Sequence, residues 1–132
     1  MIVIDASALL EILLRTARAD SLMERAFSGS EQMHAPQLLD IEITQVLRRL
    51  VRQKEITAAR AEQALQDLAD LLIERHEHQT LIMRIWQLRD SLSAYDGVCV
   101  ALAEALAAPL LTCDAKLGGA HGHRATIELV AN

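Results

Sequence analysis

Ile2-Val3-Ile4 is an uninterrupted β-branched run that stops on Asp5, and the pattern then turns helical through Ser7-Ala8-Leu9-Leu10-Glu11-Ile12-Leu13-Leu14. A strand without polar alternation is buried on both faces, the habit of strands in parallel sheets whose crossovers are helices. The same order returns late in the chain, where Leu110-Leu111-Thr112 follows a helical stretch and leads through Cys113 to a second acid, Asp114. Short strands separated by helices predict an α/β fold with a short central parallel β-sheet flanked by α-helices.

The remaining segments fit this alternation. Helical patterns run from about Ala19 to Phe27, closed by Ser28-Gly29-Ser30, and from Gln37 to about Gln53, with apolar positions Leu38, Leu39, Ile43, Val46, Leu47 and Leu50. Thr57 caps a third, whose stripe is Ala61, Ala64, Leu65, Leu68, Leu71 and Leu72, so that a helix hairpin results. Leu81, Ile85, Trp86 and Leu88 mark another helix up to about Ser91. Ser93 with Asp96 resembles a capping box opening a helix over Val98 to Ala107, which Pro109 ends. Gln32 to Ala35, Ile73 to His78 and Thr126 to Val130 are the other strand candidates. No repeat, linker or low-complexity tract divides residues 1–132, which read as one domain.

Composition narrows the functions. Phe27, Trp86 and Tyr95 are the three aromatics, too few for a platform on which bases stack. A net charge of −5 argues against holding DNA or RNA by a broad phosphate-neutralising surface, though not against catalysis on a nucleic acid. Cys99 and Cys113 are too few for a disulfide framework and read as reduced and intracellular. Without a basic leader or a long apolar run, the expectation is a soluble cytoplasmic protein with no membrane partner.

Four acids fall where burial is expected: Asp5, Glu42, Asp96 and Asp114. Asp5 and Asp114 follow strands, at the end where open α/β sheets place their binding crevice. Glu42 has Leu38, Leu39 and Val46 among its helical neighbours, and Asp96 stands at a helix N-terminus beside Cys99, Val100 and Ala103. Singly, each has an ordinary structural reading: turn residues, a capping acid, and a partner for Arg49. Together, aimed at one crevice, they would repel unless a divalent cation neutralised them, and oxygen donors select Mg²⁺ or Mn²⁺. That chemistry suits phosphodiester hydrolysis by in-line attack of an activated water.

Other constellations are weaker. His76 with His78, and His121 with His123, are spaced as metal pairs but lack a cysteine or acid at matching ligand spacing. Ser7 has no flanking glycines of a nucleophile elbow, and Lys116 has no phosphate-binding loop. A phosphoacceptor receiver would want adjacent acids after its first strand, and Asp5 stands alone. Arg48, Arg49, Arg52 and Lys54 are either a solvated helix face or a guide for phosphates. The leucines at 9, 10, 13, 14, 65, 68 and 72 are mostly core, with a remainder for a partner helix.

In these same residues the chain resembles the PIN-domain ribonucleases, specifically the VapC-like toxins of bacterial toxin–antitoxin pairs, over essentially its whole length. Ile2-Val3-Ile4-Asp5-Ala6-Ser7-Ala8-Leu9 looks like the first motif, and Asp40-Ile41-Glu42-Ile43-Thr44-Gln45-Val46-Leu47-Arg48-Arg49-Leu50 like the second. Leu88 to Asp96 followed by Val100-Ala101-Leu102-Ala103-Glu104, and then Leu110 to Leu117, complete the set in order. The resemblance implies a PIN-like domain with catalytic acids at Asp5, Glu42, Asp96 and Asp114. Asp5 and Asp96 are then the principal Mg²⁺ ligands, Glu42 and Asp114 act directly or through water, and Ser7 and Thr112 are supporting hydroxyls. It implies a Mg²⁺- or Mn²⁺-dependent endoribonuclease acting on structured tRNA or rRNA, often a homodimer, held inactive by a cognate VapB-like antitoxin, with no DNA binding by this chain alone. Ser91 stands where the family often has Asn, Cys99 where an aromatic is usual, and Gly97 in place of the commoner Ala. These departures leave a second reading, a catalytically weak PIN domain that binds RNA or protein.

Overall fold

Every residue of the first strand, β1 (Ile2–Ile4), is buried, as its unbroken apolar run requires. In the computed structural model, which describes residues 1–28 and 31–131, β1 is the middle strand of a five-stranded sheet. The other strands are β2 (Met33–Pro36), β3 (Ile73–His76), β4 (Leu110–Thr112) and β5 (Ile127–Leu129), in the order β3-β2-β1-β4-β5. Each pairing is parallel: Val3 stands beside His34 on one side and beside Leu110 on the other.

Among the described residues seven α-helices make the crossovers: α1 (Ala6–Leu13), α2 (Ala19–Phe27), α3 (Leu39–Arg52), α4 (Ala58–Asp70), α5 (Ile82–Gln87), α6 (Ala94–Leu106) and α7 (Ala115–Gly118). Side chains of a strand alternate between faces, so β1 feeds two cores. Ile2 and Ile4 pack with Leu9, Leu22, Ile43, Leu47 and Leu68 of the first four helices. Val3 and Leu110 pack with Ile85, Val100, Leu102 and Leu117 on the other face.

Local signals account for several helix starts. Asp5 caps α1 by accepting from the Ala8 N–H, Thr57 caps α4 through the Arg60 N–H, and Ser93 caps α6 through the Asp96 N–H. Of the expected stop after α2, Gly29 and Ser30 lie outside the described residues.

Several expectations need correction. Helix α4 ends at Asp70, so Leu72 falls in the connection to β3 and is 92% exposed rather than part of the stripe. The helix expected to reach Ser91 ends at Gln87, and its Trp86 is exposed, with the Arg89 guanidinium 4.5 Å above its ring. Helix α6 starts at Ala94, directly after its Ser93 cap and four residues before the expected Val98, and ends at Leu106, within a residue of the expected Ala107, which turns left-handed at φ 50°. Helix α7 went unforeseen: a single turn leaves no periodicity to read.

Helix α6 is buried continuously from Gly97 to Ala103, as a helix sandwiched between the sheet and α5 must be. A methyl group on Gly97 would meet Ile85 Cγ2 at 3.4 Å, ordinary contact. Since alanine loses less backbone freedom than glycine in a helix, Gly97→Ala is expected to stabilise the protein by about 0.5–1 kcal/mol, readable as a higher urea midpoint.

Candidate active site

The strand order reverses at β1, whose neighbours β2 and β4 are reached by crossovers leading to opposite sides of the sheet. In open parallel sheets such a switch leaves a crevice beyond the carboxyl ends of the strands, because the flanking helices diverge there. Here that crevice is a cleft of about 780 Å³, lined by Asp5 and Asp114 from the ends of β1 and β4, Glu42 from α3, and Asp96 from the first turn of α6. Four segments remote in sequence thus bring the four expected acids to one cleft. Arg49, expected to pair with Glu42, also lines it but forms no ion pair with it, and Leu10, Leu14, Ile41, Val46 and Leu50 form an apolar flank.

Asp5 is 6% exposed and held from beneath. Its Oδ1 accepts from the Ser7 hydroxyl at 2.7 Å and from the Ala8 N–H at 3.0 Å, and its Oδ2 accepts from the Thr112 hydroxyl at 2.5 Å. Thr112 Oγ1 in turn accepts from the Asp114 N–H at 3.0 Å, and Ser7 Oγ accepts from the Cys113 N–H at 3.0 Å. The two hydroxyls therefore lace the end of β1 to the end of β4. Asp114 caps α7 by accepting from the Lys116 N–H at 2.9 Å, so a turn-residue role and a place in the cleft coexist.

Burial and mutual repulsion raise three of the cleft's acids. Burial raises the Asp5 carboxyl above its ordinary range against the pull of its hydrogen bonds, and Asp114 pushes it the same way. Glu42 is pushed up to about 7, first by burial and then by Asp96 and Asp5. Asp96 is raised by burial and by Asp114, with Lys116 and Ser93 pulling weakly against them. Beneath them the buried Cys99 thiol is raised well above its ordinary value, by burial and then by Asp5, Glu42 and Asp96, so it stays protonated.

That donor set fits a hard divalent cation: it offers carboxylate oxygens, no ionised sulfur, and a field in which each acid disfavours the next. The spacing adds a constraint. Among the described residues the group of three or more potential ligands whose atoms all lie within 4.8 Å is His34, Glu74 and His76, on β2 and β3, and not the four acids. A small ion that keeps several waters suits the wider cleft, with some carboxylates reaching it through those waters. Sequence spacing missed the histidine group because its members meet through strand register rather than along the chain. His76 meets His34 and Glu74, while His78 is exposed on the following turn.

Comparison with known proteins adds independent findings. The PIN domain family model matches residues 2–120. Ribonuclease VapC12 of Mycobacterium tuberculosis is 39% identical over 131 residues, covering 99% of this chain and 100% of that protein. Ribonuclease VapC9 of the same organism is 44% identical over 117 residues, covering 89% and 88%. The crystal structure of VapBC2 from Rickettsia felis, bound to a DNA fragment from their promoter, superposes with a TM-score of 0.69 at 12% identity, covering 98% of each chain.

Proposed function

Because the chain belongs to the PIN-domain family, we propose that it is a metal-dependent endoribonuclease toxin of the VapC kind, neutralised by a cognate VapB-like antitoxin. Carrying this reading is the convergence of Asp5, Glu42, Asp96 and Asp114 on one cleft at the sheet's switch point. The relatives that align over nearly the whole chain are named ribonucleases. We assign the ion as Mg²⁺ or Mn²⁺, the substrate as structured tRNA or rRNA, and the compartment as the cytoplasm. No helix among the described residues is long and apolar enough to cross a membrane.

In this mechanism Asp5 and Asp96 would hold the ion, with Glu42 and Asp114 as further carboxylates able to meet it directly or through water. When bound, the ion supplies Lewis-acid neutralisation of charge developing on the phosphate and the leaving oxygen. Ser7 and Thr112 fix the Asp5 carboxylate from behind, leaving its orientation set before substrate arrives. Glu42, on the cleft wall with Asp5 and Asp96, is the carboxylate placed to take the proton of the attacking water and to return it to the departing 3′ oxygen. Arg49 and Arg18 are basic residues on the cleft wall, and of the basic run on α3 Arg49 is the one placed to guide a phosphate, while Arg48, Arg52 and Lys54 are exposed outside the lining. The apolar flank offers a docking surface for an antitoxin segment, and the exposed Ile82, Met83 and Trp86 offer one for a homodimer.

The deciding experiment incubates the chain, freed of any co-purifying partner, with total cellular RNA with and without Mg²⁺ or Mn²⁺. Discrete metal-dependent fragments bearing a 5′-phosphate and a 3′-hydroxyl are expected. A 2′,3′-cyclic phosphate would overturn the in-line water mechanism. RNA binding without cleavage in any metal would favour a catalytically weak binding module.

A further inference from the structure

Parallel pairing of β2 with β3 sets His34 directly beside Glu74, and Glu74 and His76, two residues apart on one strand, project to the same face of the sheet. Arg75 between them takes the opposite face, where it makes a bidentate ion pair with Asp40 on α3. His34 Nδ1 lies 2.8 Å from His76 Nε2 and 3.6 Å from the Glu74 carboxylate, and the three ligand atoms all fall within 4.8 Å. Two imidazole nitrogens and one carboxylate oxygen thus converge at the edge of the sheet, on strands that supply none of the four cleft acids.

We propose that His34, Glu74 and His76 form a second metal site, selective for a borderline transition ion such as Zn²⁺ and distinct from the carboxylate cleft. The donor chemistry decides the ion, since imidazole favours zinc-like metals whereas the all-oxygen cleft favours Mg²⁺. The spacing agrees. The imidazole centres are 5.1 Å apart with their planes inclined at 35°. Two imidazoles sharing a tetrahedral zinc, with Zn–N distances of about 2.0–2.1 Å, have ring centres about 5 Å apart. Tilting the rings about their centres, without separating the strands, therefore turns the present nitrogen–nitrogen contact into a pair of ligands. His34 is 3% exposed, and its Nε2 has no hydrogen-bond partner among the described residues, which leaves Nδ1, on the side of Glu74 and His76, as its ligand atom. Glu74 is largely exposed, leaving the fourth position open to water. Since β3 is an edge strand, the ion would clamp it to β2, which fits a structural site better than a second nuclease centre.

This site stands whether or not the nuclease reading does, and metal binding tests it separately from activity. The full chain, stripped by chelator, is titrated with Zn²⁺ and with Co²⁺ as a spectroscopic probe, alongside His76→Ala, Glu74→Ala and Asp5→Asn. Expected are one Zn²⁺ per chain at the site and the intense visible band of tetrahedral cobalt(II). Both should persist in Asp5→Asn. In His76→Ala affinity should fall by more than the roughly 10–100-fold that losing an outer-sphere partner costs. If His76→Ala fails to fold, Glu74→Ala, which removes an exposed ligand, is expected to weaken binding in the same direction. Binding unchanged in both histidine-site variants, binding lost in Asp5→Asn, or no binding at all would overturn the proposal.

Discussion

Asp5→Asn is expected to lower metal-dependent RNA cleavage by at least about 100-fold, since a direct ligand should cost no less than the outer-sphere partners whose loss costs roughly 10–100-fold. The substitution keeps the shape of the side chain, and Oδ1 can still accept from Ser7 and the Ala8 N–H. What disappears is a buried negative charge that burial and Asp114 both disfavour. The variant should therefore unfold at the same temperature as the parent, or higher, when both are measured in chelator, the usual trade between a charged active site and stability. Single-turnover cleavage and thermal unfolding on the same preparations check it. Full activity would remove Asp5 from the catalytic set, and a large loss of stability would reassign it to a structural cap.

The second expectation concerns pH. An acid whose native pKa is raised binds more protons folded than unfolded between its two pKa values, so stability declines as pH rises across that interval. For Glu42 the interval runs from 4.5 to about 7, and Asp5 and Asp96 act in the same sense above 3.8. Glu104, lowered by Arg84, acts in the opposite sense, and its contribution is lost as pH falls below 4.5. His34, lowered by burial, opposes the trend below 6.5, which makes Glu42→Gln the proper comparison. Urea unfolding of the metal-free protein should show parent stability falling relative to Glu42→Gln between pH 4.5 and 7. Millimolar Mg²⁺ or Mn²⁺ should reverse the fall, because the ion holds the carboxylates ionised and expels their protons. A difference that does not vary with pH, or that the ion does not touch, would mean that Glu42 lies outside the shared field of the cleft.

Signals carried by neighbouring residues were legible in the sequence. The run Ile2-Val3-Ile4, the caps Thr57 and Ser93, and the apolar spacing of α3 each act within one or two turns, and each stands in the structure where its pattern put it. The four acids were legible by another route, since an acid set among apolar neighbours or at a strand end is anomalous wherever the chain goes. Contacts between distant segments left no such mark. Thr112 donates to Asp5 across 107 residues, and only the resemblance to a family singled out that hydroxyl. His34 and His76 meet through a register that no spacing along the chain encodes. Leu72 misled because a hydrophobic side chain signals burial only while its helix continues, and α4 ends at Asp70, whereas Trp86 lies within α5 on a face left exposed among the described residues.

The placement of β1 has a consequence for the protein while it is being made. Its partner β4, and with it Asp114, lies more than a hundred residues further along the chain, and Val3 cannot meet Leu110 until that stretch has been synthesised. Asp5 and Glu42 leave the ribosome before Asp96, and Asp96 before Asp114, so the growing chain carries an incomplete set of acids until residue 114 has been made. Because so distant a pairing also folds slowly, the cleft closes only after the strand that carries Asp114 has been made and has found β1.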